Sequence, residues 1–349
     1  MRVIVDTAEL RRTHAGKARW IVGLVGALEK MPDLEIMRAP GPRRIGGGLL
    51  FRPINVTRQR WWYQAAMRRM AERWGADVML MPGAYACSRG RIRQLVAILD
   101  VNYLSRPGTY EPMFELYARW SVGRAARDAD SLITISNFSR SEICRHLDVD
   151  PAKISVVYPG LDEPPAGTYP APLDRPYALY VGATEKHKNI GLLLNAWEGL
   201  GGELTLAIVG RPGRDHAALA ARAEKSGGRV LLIGSVAQDE LEGWYRHATA
   251  FLFPSLTEGF GYPPLEAMQR GVPVLASRAG ALPEVLGDAA AYFAPNDPGE
   301  LAIKLNQILG DAQLRDAMVN RGRAQAARYT WADAATTTAR LLESLTGRG

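Results

Sequence analysis

The sequence predicts an α/β protein made of two doubly wound, Rossmann-like domains. Short apolar runs alternate with helical patterns along nearly the whole chain, the sign of parallel sheets covered by helices. A length of 349 residues suits about two domains of ordinary size, each able to bury its own core. Between the halves, Leu161 to Pro176 holds five prolines in sixteen residues without apolar periodicity, which reads as a linker.

In the first half the expected strands are Val3 to Val5, Val78 to Met81, Leu95 to Leu99, Ser131 to Ile135 and Ile154 to Val157, with a helix from Arg19 to Glu29 after the first. In the second they are Tyr177 to Val181, Leu204 to Val209, Arg229 to Ile233, Ala250 to Phe253 and Val274 to Ala276. After Ala291-Tyr-Phe293 the pattern is helical to the end. Ser139-Arg-Ser-Glu142 reads as a capping box for a helix to His146, with Ser136 ahead of it. Ligands of open α/β sheets bind beyond the carboxyl ends of the strands, so two such sheets place the expected site in a cleft between them.

The composition, 47% hydrophobic and 23% charged, is globular. Cys87 and Cys144 are the two cysteines and follow no metal or disulfide spacing. With no signal-peptide core and no apolar run of membrane-span length, a cytoplasmic protein is expected. The net charge of +7 is unevenly spread: residues 1–100 carry 18 Lys and Arg against 8 Asp and Glu, the remainder 25 against 28. Gly41 to Pro53, followed by Arg58, Arg60, Trp61, Trp62, Tyr63, Arg68 and Arg69, mixes cations with interfacial aromatics. That mixture suits an anionic membrane surface or a lipid-diphosphate acceptor, and equally a solvated helix face. Nucleic acid is not an expected partner, since no binding motif accompanies the charge.

The most informative stretch is Pro254-Ser-Leu-Thr-Glu-Gly-Phe-Gly-Tyr-Pro-Pro-Leu-Glu-Ala-Met268. A short apolar strand runs into glycines, and Pro263-Pro264 signals a first helical turn. Gly259 and Gly261 allow a sharp turn and close approach of backbone to a ligand, and free amides at a helix start favour phosphate. Glu258 precedes the turn, where no cap requires it; Glu266 is expected in the first helical turn, where it also complements the dipole.

This frame, with Glu258 and Glu266 separated by seven residues, resembles the donor-site signature of retaining family-4 glycosyltransferases with the two-domain GT-B fold. The likeness extends over Met1 to Arg38, Ala125 to Gly160 and Tyr177 to Leu345. It implies domains at 1–165 and 166–329, with a final helix in 330–349, near Trp331 to Leu345, crossing back onto the first. It implies that Glu258 faces the donor sugar and reacting centre, that Glu266 accepts from the ribose hydroxyls, and that Gly259, Phe260, Gly261 and Tyr262 bound the phosphate turn. In Tyr180 to Asn189, relatives carry Arg-Lys-Asn where this chain has His187-Lys188-Asn189; Lys188 keeps the diphosphate contact, and Lys186 stands beside it as compensation for His187. Gly16, within Thr13-His-Ala-Gly-Lys-Ala-Arg-Trp20, matches a family glycine that lets amides approach phosphate or sugar. Arg211 in Gly210-Arg-Pro-Gly213 and Val236 in Gly234-Ser-Val-Ala237 belong to loops set against the nucleotide base. In Gln94 to Asp100, Asp100 is retained, but Leu99 stands where many relatives have histidine.

Asp128-Ala-Asp130 and Asp148-Val-Asp150 have the spacing of a metal site in a different glycosyltransferase fold, yet one ends a helix before a strand and the other precedes a proline. No metal and no cofactor are expected. His14, His146, His216 and His247 form no metal pattern. The resulting expectation is a retaining, metal-independent hexosyltransferase with Glu258, Lys188 and Asp100 at the chemistry, moving mannose from GDP-mannose to a glycan or lipid-linked glycan in polysaccharide or lipopolysaccharide biosynthesis, peripheral on the inner face of the cell membrane. A UDP- or dTDP-sugar enzyme and a non-catalytic nucleotide- or glycan-binding paralogue remain open.

Overall fold

The computed structural model describes residues 1–11, 16–43, 45–46, 52–105 and 112–347, with backbone alone at 52–53 and 112–115. Thr13 to Ala15 of the front motif, His14 included, and Arg44 and Gly47 to Phe51 of the basic stretch lie outside the described residues. The chain divides into two compact units, Met1–Asp162 with Thr330–Gly349, and Glu163–Tyr329.

The first unit contains β1 (Arg2–Asp6), β2 (Glu35–Ala39), β3 (Val78–Met81), β4 (Arg93–Ala97), β5 (Ser131–Thr134) and β6 (Ile154–Val156). All pair in parallel, in the order β2-β1-β3-β4-β5-β6. Central strands buried on both faces read as continuous apolar runs, as Val-Met-Leu-Met does in β3. The helix Asn137–Leu147 corrects the expected cap: Ser136, not Ser139, is the N-cap, its Oγ accepting from Ser139 N at 3.0 Å. Ser136 is fully buried. Glu142 is thereby moved into the helix interior, where it pairs with Ser105, Arg145 and His146. β4 ends at Ala97, so Leu99 and Asp100 follow the strand rather than close it.

The terminal helix Trp331–Thr346 packs within this first unit, against Gly16–Leu28, β3 and β4. Gly23 and Gly160 make room for it: a Cβ on either would lie 2.2 Å from Trp331. The Trp331 indole donates to Asp162 Oδ1 at 2.8 Å, and Arg19 holds the other oxygen of that carboxylate at 2.7 Å.

The second unit contains β7 (Tyr177–Val181), β8 (Thr205–Val209), β9 (Val230–Gly234), β10 (Ala250–Phe253), β11 (Val274–Ser277) and β12 (Ala290–Phe293). Its sheet is also fully parallel, ordered β12-β11-β10-β7-β8-β9. Two strands, β2 and β12, were not among those expected, and both are edge strands. Among the described residues no helix is long and apolar enough to cross a membrane.

Asp6, at the end of β1, is buried and accepts from Ala8 N at 3.1 Å, Trp62 Nε1 at 3.3 Å and Tyr63 OH at 2.9 Å. Burial pushes its carboxyl up to about 6, against those three hydrogen bonds. A folded-state value above the ordinary one means that the native state binds the extra proton between roughly pH 4 and 6, so stability falls as pH rises through that window. Asp6→Asn should therefore be more stable than the parent by about 2 kcal/mol at pH 7.5 and nearly equal to it at pH 4. Urea unfolding of both chains across that range checks this; a difference independent of pH contradicts it.

Candidate active site

In the second sheet the chain runs outward from β7 through β8 to β9, then returns to place β10 on the other side of β7. Connections therefore diverge between β7 and β10, and the position beyond their carboxyl ends is where open α/β sheets form a ligand crevice. The short 3-10 turn Lys186–Lys188 follows β7, and the loop Pro254 to Gly261 follows β10. These bring together two residues seventy apart: Lys188 Nζ donates to Glu258 Oε1 at 2.6 Å.

Four further contacts fix this pair. Asn189, in a left-handed conformation (φ +55°), donates from Nδ2 to the carbonyls of Pro254 at 3.2 Å and Pro295 at 2.8 Å. Leu256 N donates to His187 O at 2.8 Å, lacing one loop to the other. The Lys188 ammonium also lies 5.5 Å from the centre of the Phe253 ring, a cation–π contact. With side chains only 19% and 14% exposed, Lys188 and Glu258 are shielded from the solvent screening that weakens surface pairs. The negative charge of Glu258 adds to the larger effect of burial in raising the Tyr180 hydroxyl well above its ordinary range.

Glu258 is further held from below by its backbone. Ala281 N donates to Glu258 O at 2.9 Å, and Gly280 (φ +58°) packs so closely that a Cβ would lie 2.5 Å from Glu258 N. Of the two glycines singled out in the turn, Gly261 has the positive φ (+107°) and Gly259 does not. Gly261 caps the helix Tyr262–Gln269, with the prolines directly inside it. Glu266 is thus the fifth helical residue and not in the first turn, which corrects the expected dipole role; its carboxylate accepts from Tyr245 OH at 2.8 Å. Phe260 is buried, edge-on to both Tyr262 and Tyr329 at 5.2 Å between ring centres. Tyr329, the last residue of the second unit, is tied by its hydroxyl to Val285 O at 2.8 Å.

The neighbouring loops share the same sheet end. A Cβ on Gly210 would lie 2.1 Å from Gly182 O, so the loops after β7 and β8 interlock through glycine. Thr184 is buried there and its Oγ1 accepts from Gly213 N at 2.6 Å. Arg211 and Lys186 are exposed, and His187 and Val236 half-buried. Gly16 and Asp100 belong to the first unit. Gly16 opens the helix Gly16–Leu28, and Asp100 Oδ1 accepts from Asn102 N at 3.1 Å at the start of the short helix Asn102–Ser105.

Sequence reasoning missed a buried support behind Glu266. Glu242 is buried between Arg246, at 2.6 Å, and Arg270, which grips it at 2.9 and 2.6 Å. Burial opposes its ionisation, but hydrogen bonds from Arg270 and Arg246 outweigh it and hold the carboxyl below its ordinary range. Arg270 in turn lies 5.0 Å over the Tyr245 ring and donates to Glu266 O at 3.0 Å, so the partner of Glu266 is braced. The i,i+4 spacings Glu242–Arg246 and Glu266–Arg270 were the available signals. The aspartate triplets have structural partners: Asp128 pairs with Arg124, Asp130 with Arg93, and Asp150 caps Pro151–Lys153.

Two family models match the chain, Glycosyltransferase Family 4 over residues 27–163 and Glycosyl transferases group 1 over residues 167–325. The O-antigen chain mannosyltransferase B of Escherichia coli is 32% identical over 263 residues, covering 70% of this chain and 69% of that one. The chain belongs to glycosyltransferase family 4. The D-inositol 3-phosphate glycosyltransferase of Streptomyces bingchenggensis is 29% identical over 236 residues, covering 60% of this chain and 52% of its own length. Among solved structures, HepE from Anabaena in complex with UDP and glucose has a TM-score of 0.73 at 16% identity, covering 99% of this chain and 100% of that one. That likeness is one of fold, and the two doubly wound units are those of GT-B.

Gly280→Ala places a methyl against the Glu258 backbone at a positive φ, and should cost about 1 to 3 kcal/mol of stability in the second unit. Thermal unfolding of the variant checks this; a parental transition contradicts the packing.

Proposed function

We propose that this family-4 member is a retaining, metal-independent hexosyltransferase that moves mannose from GDP-mannose to a hydroxyl of a glycan or lipid-linked glycan in surface-polysaccharide biosynthesis, working in the cytoplasm and peripherally on the inner face of the cell membrane. The observation that carries the proposal is the Lys188–Glu258 pair at the crevice between β7 and β10. The O-antigen mannosyltransferase likeness supports the choice of sugar and pathway.

In such a transfer the bond from the sugar's anomeric carbon to the diphosphate breaks, its electrons leave with the diphosphate, and positive charge develops on the ring. Catalysis is then charge stabilisation and positioning. Lys188 has three N–H donors, of which Glu258 uses one, leaving two for phosphate oxygens. The amides of Gly259 to Tyr262, at the start of Tyr262–Gln269, supply the rest of an anion site. Glu258 meets the cationic ring. The incoming hydroxyl attacks on the face from which the diphosphate departs, and its proton passes to a departing phosphate oxygen. Glu266 keeps acceptor capacity beside its Tyr245 bond for the ribose hydroxyls. Lys186, His187, Arg211 and Val236 border the phosphates and base, and the family likeness assigns Gly16 and Asp100 to sugar and acceptor. A UDP- or dTDP-sugar enzyme, or a non-catalytic binder, would share this architecture, and a panel of nucleotide sugars assayed for product release separates all three.

Lys188→Ala should lose about 2 to 4 kcal/mol of transition-state stabilisation with the fold intact, which kcat/KM and thermal unfolding will show; parental turnover would remove Lys188 from the site. Glu258→Gln should keep nucleotide affinity within about threefold and lose turnover, whereas Glu266→Gln should weaken nucleotide binding by about 1 to 3 kcal/mol. Calorimetric titration of both with GDP decides, and the opposite pattern exchanges their roles. Excess EDTA should leave transfer within about a factor of two; a loss restored by Mn²⁺ would overturn metal independence.

A further inference from the structure

The helix Arg52–Trp61, the five-residue π-helical turn Trp62–Ala66 and the helix Met67–Trp74 form one segment of the first unit. It contains six arginines and a single acid, Glu72. A π-turn inserts an extra residue and re-aims the side chains around it, and such turns gather at functional sites. Here it separates two neighbouring indoles: Trp61 is 56% exposed, while Trp62 turns inward and donates to Asp6.

Beside it opens a groove of about 570 Å³, within the ~300–1,000 Å³ range of ligand pockets. Its apolar walls are Trp61, Trp62 and Trp74 with Met37 of β2, Ala66 and Met70. Arg69 and Arg73 complete the lining, and both are exposed. Among the described residues no hydrogen bond or ion pair engages the side chains of Arg58, Arg60, Arg69 or Arg73. Arg68 is different: its guanidinium donates to the carbonyls of Ser88 and Ile92, so it is structural and leaves the set expected to face a membrane. Ile54 and Val56, 47% and 51% exposed, add apolar surface to the same segment.

We propose that this groove seats a hydrocarbon chain of an anionic phospholipid, with the lipid phosphate on Arg69 and Arg73, and so anchors the first unit to an anionic bilayer. An apolar slot with interfacial tryptophans and uncompensated arginines at its lip complements a molecule that is greasy at one end and anionic at the other. Arginine matches phosphate in bidentate geometry, which gives the headgroup a directional contact rather than diffuse attraction. The inference rests on the membrane-side acceptor proposed above but goes further, since it places one lipid molecule in one groove.

The test uses dioctanoyl phosphatidylglycerol below its micellar concentration, titrated into the full chain by calorimetry, with cosedimentation on phosphatidylglycerol vesicles and sedimentation equilibrium alongside. The expected result is saturable one-to-one binding of the monomeric lipid. It should weaken at least tenfold in Ala66→Leu, which narrows the groove, and at least tenfold in Arg69→Ser/Arg73→Ser, which alters only exposed side chains. Vesicle binding without monomer binding overturns the groove and leaves the membrane contact standing; no binding to either overturns both. Monomer binding unchanged in both variants also overturns the assignment, as does lipid-insensitive dimerisation that Ala66→Leu abolishes. Transfer by the parent chain to a short soluble acceptor, measured separately, tests the catalytic reading independently of lipid.

Discussion

The candidate site depends on one ion pair. Lys188 and Glu258 stand on different loops, and the parallel order of the second sheet makes those loops neighbours by setting β10 beside β7. A lysine and a glutamate so shielded are costly to keep apart, because removing either leaves a charge with poor solvation. Pairing holds both together, and in the proposed transfer they take opposite tasks. The cation suits a departing diphosphate and the anion suits the ring it leaves, so a single contact positions the two charges that the proposed chemistry separates.

The backbone around the pair shows why the loops must be as they are. Gly280 lets the chain after β11 press on Glu258, Gly210 lets the loop after β8 press on Gly182, and Gly261 turns the chain into its helix. Each glycine replaces a volume that a side chain would fill with backbone contact. Behind this layer, Glu242, Arg246 and Arg270 brace Tyr245, which holds Glu266, while Tyr329 packs on Phe260. The first unit has its own constraint in Asp6, whose buried carboxylate ties the end of β1 to Trp62 and Tyr63 and so to the arginine-rich segment.

Much of the fold was legible in the sequence because parallel strands buried on both faces announce themselves as apolar runs. Of the four edge strands, β6 and β9 were legible in the same way, and β2 and β12 were not. β2 carries Glu35 and Arg38, which pair with Arg2 and Glu29, and only Ala39 is buried; at an edge, polar residues are favoured and the apolar signal disappears. The capping serine was misplaced because Ser139 has a glutamate three residues on, as a capping box requires, whereas Ser136 caps through its own Oγ with Ser139 in that place, and its extended φ of −162° sets the helix start there. In the site, Glu258, Lys188 and Gly261 could be found from local motifs. Their pairing could not, since it follows from strand order, nor could Gly280, which matters only through what lies against it.

The most direct test of the central claim is a crystal structure of the protein with a bound nucleoside diphosphate. The expected result is a β-phosphate oxygen within about 3 Å of Lys188 Nζ, with further oxygens facing the amides of Gly259 to Tyr262. A diphosphate bound only against the loops after β8 and β9, with Lys188 and Glu258 still paired and untouched, would contradict it.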